Sequence, residues 1–440
     1  MDILKNRNFL LLFLGRILTN IGDSLYYVAA MWLVYKLGSN AFYSGLAGFV
    51  TLLPSAFQFL TGPFVDRWSI KNTLIITQVL QCILILIIPI TYHFDMLTIQ
   101  LVLIIMPIVS FIEQFTYPAQ TKALPLLLNK TQLLKGNSLF SFAYQGIDLL
   151  CNTISGILVA VLGAITLYMI DSFTFAITAL LFSLLKIPVH KKNSEESTFE
   201  RSNSLSIKQY FSDLAEGFSI VFRSLMVIFL IGSIVANFAI GMTMAILPSF
   251  SDTLGGVKLY GFFLAAISAG SFIGALLGSW FGKFKVGYVA IISFTAGAFF
   301  WFLSAWIPFK WMAICLFGLA WIPIGAINVL FATISQLVIP NRFLGRINSV
   351  TRSISTIAMP FGSLIGGYAA TLVSSQIIFA CASIGILFIS MLWLLHPKLR
   401  SLPKANSITS ETFQLYFKEE RRKEDKFLVM NLPSFFIYFI

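Results

Sequence analysis

Apolar residues along this chain come in runs of twenty or more, broken by short clusters of Gly, Pro, Asn and charge, without the alternation of a half-buried strand. At about 1.5 Å of rise per residue, a helix of that length crosses a bilayer. Twelve runs predict twelve membrane helices. Six fall at 9–35, 41–65, 73–92, 96–117, 138–164 and 165–185, and six at 225–250, 259–282, 286–309, 311–339, 347–373 and 376–395. The strands of a membrane barrel alternate over about ten residues, so the pattern excludes that architecture. The expected fold is an all-α integral membrane protein, with twelve transmembrane helices in two six-helix pseudo-repeats. Its expected parts are an N-terminal bundle at 1–186, a cytoplasmic linker at 187–223, a C-terminal bundle at 224–397 and a cytoplasmic tail at 398–440. The tail holds a charged stretch at 418–426 and an apolar one at 427–440. The latter is too short to span, so a disordered or interfacial tail is expected.

Composition agrees. Of 440 residues, 58% are hydrophobic, and there are only 30 Lys and Arg and 18 Asp and Glu. A soluble chain of this length carries about 110 charges. The formal charge of +12 raises the question of nucleic acid, but the basic residues lie in short loops between apolar runs. Topology accounts for them better. Of the 30, 26 fall on the side shared by the N-terminus, the linker and the tail, and three (Lys36, Lys258, Lys310) on the other, with Arg16 inside a span. By the positive-inside rule both termini are expected in the cytoplasm, with the chain in the plasma membrane. Cys82, Cys151, Cys315 and Cys381 all sit in apolar runs without a paired spacing, which fits neither disulfides nor a metal site.

The halves echo each other. Gly62-Pro-Phe-Val-Asp66-Arg67 lies opposite Gly278-Ser-Trp-Phe-Gly282-Lys283, and Asn137-Ser138 with Gly156 lies opposite Asn348-Ser349 with Gly367. Both matches fall in equivalent loops and spans, as parallel repeats require. Between the second and third spans stands Gly62-x-x-x-Asp66-Arg67-x-x-x-Lys71. Gly62 allows close helix approach, and Asp66, Arg67 and Lys71 can pair with helix ends and latch the two halves.

At these residues the sequence resembles the major facilitator superfamily, whose loop between helices 2 and 3 carries such a signature. The resemblance covers residues 5–397. It narrows through Gly22-Asp23, Trp32-Leu33-Val34-Tyr35, Leu53-Pro54 and Phe115-x-x-Pro118-Ala119, with Ala123-Leu124-Pro125 beyond. Together these are similar to the drug:proton antiporter branch that contains macrolide-efflux-like proteins. Two departures stand out. The branch often has Gly-Pro in helix 5, where this chain has Asn152-Thr153. The Arg that many drug antiporters carry in helix 4 is absent, with Glu113 in that neighbourhood.

A charge at the bilayer centre costs roughly 2.5–3.5 kcal/mol on insertion scales, so embedded charges are candidates for function. Arg16, Asp23, Glu113, Asp148 and Asp171 lie in the first half and Arg352 in the second. Arg16 and Glu113 are expected at similar depth on cavity-lining helices 1 and 4, where the resemblance suggests an ion pair that breaks or forms during alternation. Asp23 and Asp148 fall near mid-membrane, where loss of water favours the neutral acid and lets a carboxyl carry a proton. Asp171 reads as a packing or capping residue.

The resemblance also implies that helices 1, 4, 7 and 10 face a central cavity. Aromatic, Met and polar residues on them are the substrate candidates: Tyr26, Tyr27, Trp32 and Phe115 in the first half, and Asn237, Phe238, Met242, Trp321 and Asn328 in the second. No Walker loop or metal spacing is present, and the three His stand near helix ends, so no enzyme or cofactor is expected. The expected function is export of an amphipathic or lipophilic drug-like molecule by a monomer, with proton antiport and alternating access. The alternatives are export of a polar metabolite such as a carboxylate siderophore, and a membrane scaffold that does not transport.

Overall fold

The computed structural model describes residues 2–57, 68–187, 218–409 and 411–413. Among these residues twelve long helices follow one another. The first six are α1 (Arg7–Gly38), α2 (Ala41–Ala56), α3 (Ile70–His93), α4 (Ile99–Leu127), α5 (Lys130–Leu162) and α6 (Ala164–Ser183). The second six are α7 (Met226–Leu254), α8 (Val257–Phe281), α9 (Val286–Trp306), α10 (Lys310–Val338), α11 (Asn341–Leu372) and α12 (Ser375–Leu395). Polar residues at the breaks start them. Asn6 Oδ1 accepts from the backbone N–H of Asn8 and Phe9, Asn40 Oδ1 from Phe42, Thr98 Oγ1 from Leu101 and Ser374 Oγ from Ile377. Each satisfies donors that the first turn of a helix leaves unpaired.

The fourth and fifth helices are longer than the apolar pattern predicts. Helix α4 continues through Pro118 and Pro125 to Leu127, and α5 starts at Lys130. Hydrophobicity marks where a helix meets lipid. Its backbone hydrogen bonds continue past the apolar slab wherever capping groups allow.

Within the first half α1 packs on α5 and α6, and α3 on α4 and α6; in the second, α7 packs on α11 and α12, and α9 on α10 and α12. The halves meet chiefly through α2 against α11 and α5 against α8. These two contacts are pseudo-symmetry mates, and each is built on a glycine pair. A Cβ placed on Gly45 would stand 2.7 Å from Ser363 O and 2.8 Å from Gly367 Cα, while one on Gly156 would overlap the backbone of Gly261. Helices approach this closely only where side chains are missing. The residues involved are related by the shifts already seen in the sequence: 216 from Gly45 to Gly261 and 211 from Gly156 to Gly367.

Among the described residues, nine of these helices are long and apolar enough to span on their own composition. The second half is locked by an aromatic cluster, with Phe379 stacked on Phe250 at 4.5 Å and set 5.0 Å from Phe317, which meets Trp301 at 5.1 Å.

The start of the expected tail is part of the fold. Leu399, Leu402, Ala405, Ile408 and Phe413 are buried. Phe413 packs 5.3 Å from Phe229, its carbonyl accepts from Leu225 N at 3.0 Å, and Lys404 forms a backbone bridge with Lys285. Residues 398–409 and 411–413 therefore differ from the disordered or interfacial tail expected there, because their buried apolar side chains pack at the ends of α7, α9 and α10. Residues 414–440 lie outside the described residues.

Candidate functional site

A cavity of about 540 Å³ lies between the halves, walled by α1, α2 and α4 on one side and α7, α8 and α11 on the other. Its lining includes four charged residues, Arg16, Asp23, Glu113 and Arg352. The first-half wall is dense in hydrogen-bonding groups: Asn20, Ser24 and Tyr27 on α1, Thr51 and Ser55 on α2, and Gln114 on α4. The facing wall is mostly apolar, with Met244, Leu264, Ile267 and Met359 beside Ser268. One cavity thus presents a polar face and an oily face.

Arg16 is held firmly although it is 97% buried, with a relative exposure of 3%. Its Nη1 donates to Gln120 Oε1 at 2.7 Å, and its guanidinium carbon lies 4.6 Å from the centre of the Tyr117 ring. Both partners belong to α4. Glu113, Tyr117 and Gln120 recur at i, i+4 and i+7, so they share one helix face. Nearby polar side chains tie the wall together. Asn20 Nδ2 donates to Ala143 O at 2.9 Å, joining α1 to α5, and Ser110 Oγ donates to Thr51 O at 2.6 Å, joining α4 to α2.

The cavity is sealed on the face away from the termini. Lys36 Nζ, near the end of α1, pairs with Asp252 Oδ1 at 3.0 Å at the end of α7, and Tyr35 Oη donates to Asp252 Oδ2 at 3.0 Å. Trp32 stacks on Tyr260 of α8 at 5.8 Å. Both glycine contacts between halves also lie within six residues of helix ends on that face, roughly 10 Å deep or less. The lining reaches furthest toward the opposite, terminus-bearing face at Arg16, Ser55, Tyr117 and Arg352.

Of the residues singled out in the sequence, Arg16, Asp23, Tyr26, Tyr27 and Glu113 come together at the cavity. Trp32 stands in the seal. Phe115 stacks on Trp68 at 5.5 Å. Asn237 Nδ2 donates to its own helix at Ser233 O, at 2.9 Å. Phe238 packs through its backbone on Gly362, and Met242 lies against Gly366. Trp321 is buried against Trp301, and Asn328 is exposed. None of these seven is in the cavity lining. The side chain of Asp148 lies outside the described residues, as do Gly62, Asp66 and Arg67; Lys71 stands in the first turn of α3. Sequence reading missed Gln114, Tyr117 and Gln120; the last two recur from Glu113 at i+4 and i+7, but that spacing alone does not mark them as partners of Arg16. Ending the fourth span at 117 left Gln120 outside it.

The family model described as Major Facilitator Superfamily matches residues 12–362. The chain belongs to the major facilitator superfamily. An uncharacterized MFS-type transporter of Bacillus subtilis (strain 168), YvqJ, is 26% identical over 408 residues, covering 89% of this chain and 94% of that protein. Among solved structures, the nucleoside transporter NupG superposes with a TM-score of 0.68 at 15% identity, covering 88% of this chain and 99% of that one. A bacterial homologue of the human lysosomal transporter Spinster, in an inward-facing and occupied conformation, gives 0.64 at 13% identity, covering 88% and 95%. These likenesses establish a multi-pass membrane transporter of the superfamily, not an enzyme. The cavity lies between the two six-helix repeats of that fold.

Proposed function

We propose that the chain is a secondary active exporter that moves an amphipathic, drug- or macrolide-like molecule across the plasma membrane in exchange for protons. The observation that carries this reading is the two-faced cavity. An amphipathic solute places its polar groups against α1, α2 and α4 and its apolar body against Met244, Leu264, Ile267 and Met359. Two acids and two arginines in the lining offset each other formally, which suits a neutral or zwitterionic solute or a cation that displaces a proton. Asp23, on the cavity wall of α1, is the proposed proton carrier. Glu113 and Asp148 are the reserves, and Arg16 is the countercharge that responds when an acid changes state.

The basic-residue asymmetry supports cytoplasmic termini, so the seal at Lys36 and Asp252 faces outward and the cavity is reached from the cytoplasm. Alternation is proposed to rock the bundle at 1–186 against that at 224–397. The loop signature Gly62, Asp66, Arg67 and Lys71 would latch the cytoplasmic side when the outer seal opens. The protein works as a monomer in this reading.

A second reading has one specific observation in its favour: Arg16 and Arg352 both line the cavity, which suits a carboxylate solute such as a siderophore. One assay separates the two. Proteoliposomes under an imposed pH gradient are tested with ethidium, erythromycin and a carboxylate siderophore, comparing the native protein with Asp23→Asn. The proposal expects gradient-driven movement of ethidium or erythromycin, reduced at least tenfold by Asp23→Asn while binding persists. Movement of the siderophore alone moves the assignment to the second reading, and no gradient-driven movement of any compound overturns both.

A further inference from the structure

Behind the polar wall of the cavity lies a buried carboxyl that the transport route above does not use. Asp171 sits on α6, seven residues from its start and so about 10 Å from the sealed face. It has no solvent exposure. It lies against Gly22 of α1, where a Cβ would overlap Asp171 Oδ1. Thr174 Oγ1 lies 2.8 Å from Asp171 O and 3.3 Å from Oδ1, while Oδ2 has no hydrogen-bond partner among the described residues. No ion pair to Asp171 occurs among those residues either.

Such a site is poor housing for a fixed charge, because a carboxylate away from water needs a cation or several donors. It is also wasteful as mere packing. One oxygen is unmatched, and the neighbouring helix carries a glycine where any side chain would collide with the other. What the surroundings do provide is a row of hydroxyls toward the cavity, not hydrogen-bonded to one another in this conformation. Tyr168, one turn earlier on α6, meets Tyr26 edge-on with ring centres 5.7 Å apart. Both tyrosine hydroxyls are buried without partners among the described residues, and Tyr26 lines the cavity together with Asp23.

We propose that Asp171 is a second proton-binding site of the transport cycle, occluded from the cavity in this conformation and joined to it through Tyr26. The proton passes inward from Asp171 to Asp23. In that step Asp171 becomes the carboxylate and Asp23 the neutral acid, and Tyr26 takes up one proton as it releases another. The titratable groups around Asp171 are Tyr168 on its own helix, Cys82 of α3 and, on α1, Tyr26 against the Tyr168 ring and Asp23 next in sequence to Gly22. The side chain of Asp148 on α5 lies outside the described residues. Gly22 has a role in this scheme: it lets the acid of α6 stand beside the helix that carries the acid of the cavity.

The inference rests on the proton-coupled reading, and its test is independent of any substrate. Infrared difference spectra of the purified full-length protein are recorded between acidic and alkaline buffer, with the aspartates carbon-13 labelled to mark their carbonyl bands. The native protein is expected to lose two buried aspartic-acid bands as the pH rises, one of them missing in Asp171→Asn and the other in Asp23→Asn. Tyr26→Phe keeps the ring contact and removes the hydroxyl, so both bands remain but proton release from Asp171 slows about tenfold. This second variant decides the matter if Asp171→Asn does not fold. An unchanged set of bands in Asp171→Asn, or an unchanged release rate in Tyr26→Phe, overturns the inference. In the liposome assay, loss of gradient-driven ethidium movement in Asp171→Asn supports it. Absence of gradient-driven movement of ethidium, erythromycin and the siderophore alike in the native protein overturns proton coupling itself, whatever the spectra show.

Discussion

Arg16 illustrates how one residue turns a sequence oddity into a site. A guanidinium inside a span is costly unless its donors and its π-face are met, and here Gln120 and Tyr117 meet one of each. The planar fork matters as well as the charge. Arg16→Lys keeps the charge but cannot both reach Gln120 and stack on Tyr117. A charge-assisted hydrogen bond contributes about 1.5–3 kcal/mol, so Arg16→Lys is expected to reduce the transport rate by about tenfold or more, with membrane insertion unaffected. Flux measurements normalised to protein in the membrane check this. The candidate charges themselves were legible in the sequence, since an Arg or Asp in an apolar run is conspicuous. Their partners were not. Gln120 lies past the point where α4 leaves the apolar pattern, and the embedding of Asp171 against Gly22 depends on which helices are neighbours, which no local pattern states.

At the scale of helices, the apolar runs located all twelve elements because lipid imposes a minimum length and one polarity on every span. It failed at their ends, where α4 and α5 extend into polar sequence, and in the segment at 398–413, whose burial comes from tertiary contacts alone. The aromatic and Met residues chosen as substrate contacts fared unevenly for a related reason. At 15% aromatic content, residues such as Trp321 serve the packing inside a half as readily as any cavity. In the proposed cycle, the glycine contacts between α2 and α11 and between α5 and α8 are where an element sets the balance of states. Gly261→Val brings side-chain atoms onto the Gly156 backbone, which cannot yield, and overpacking of this kind costs about 1–3 kcal/mol. The state sealed on the face away from the termini then loses about 5- to 150-fold in population relative to the opposite state. Accessibility of an engineered cysteine at Trp32 to a membrane-impermeant maleimide, expected to rise, reads that shift.

For the whole molecule, the proposed alternating access makes the sealed face away from the termini, and the cavity beneath it, one station of a cycle whose other stations must open what is closed here. The Lys36–Asp252 pair is half exposed, with side-chain exposures of 51% and 31%, so it contributes at most about 1 kcal/mol and biases the seal without locking it. Bistability of this kind is what alternating access requires: an interface strong enough to close and weak enough to release. Two pairs of spin labels placed on a background lacking Cys82, Cys151, Cys315 and Cys381 test that claim most directly. One pair, at Leu37 and Lys258, spans the sealed face, and the other, at Asn72 and Lys283, spans the terminus-bearing face; pulsed electron resonance gives both distances at acidic and alkaline pH. The account predicts that the distances change in opposite senses, the first lengthening as the second shortens, and that Lys36→Gln raises the long-distance fraction of the first pair by up to about fivefold. Distances that stay fixed under every condition, or that lengthen and shorten together, would contradict it.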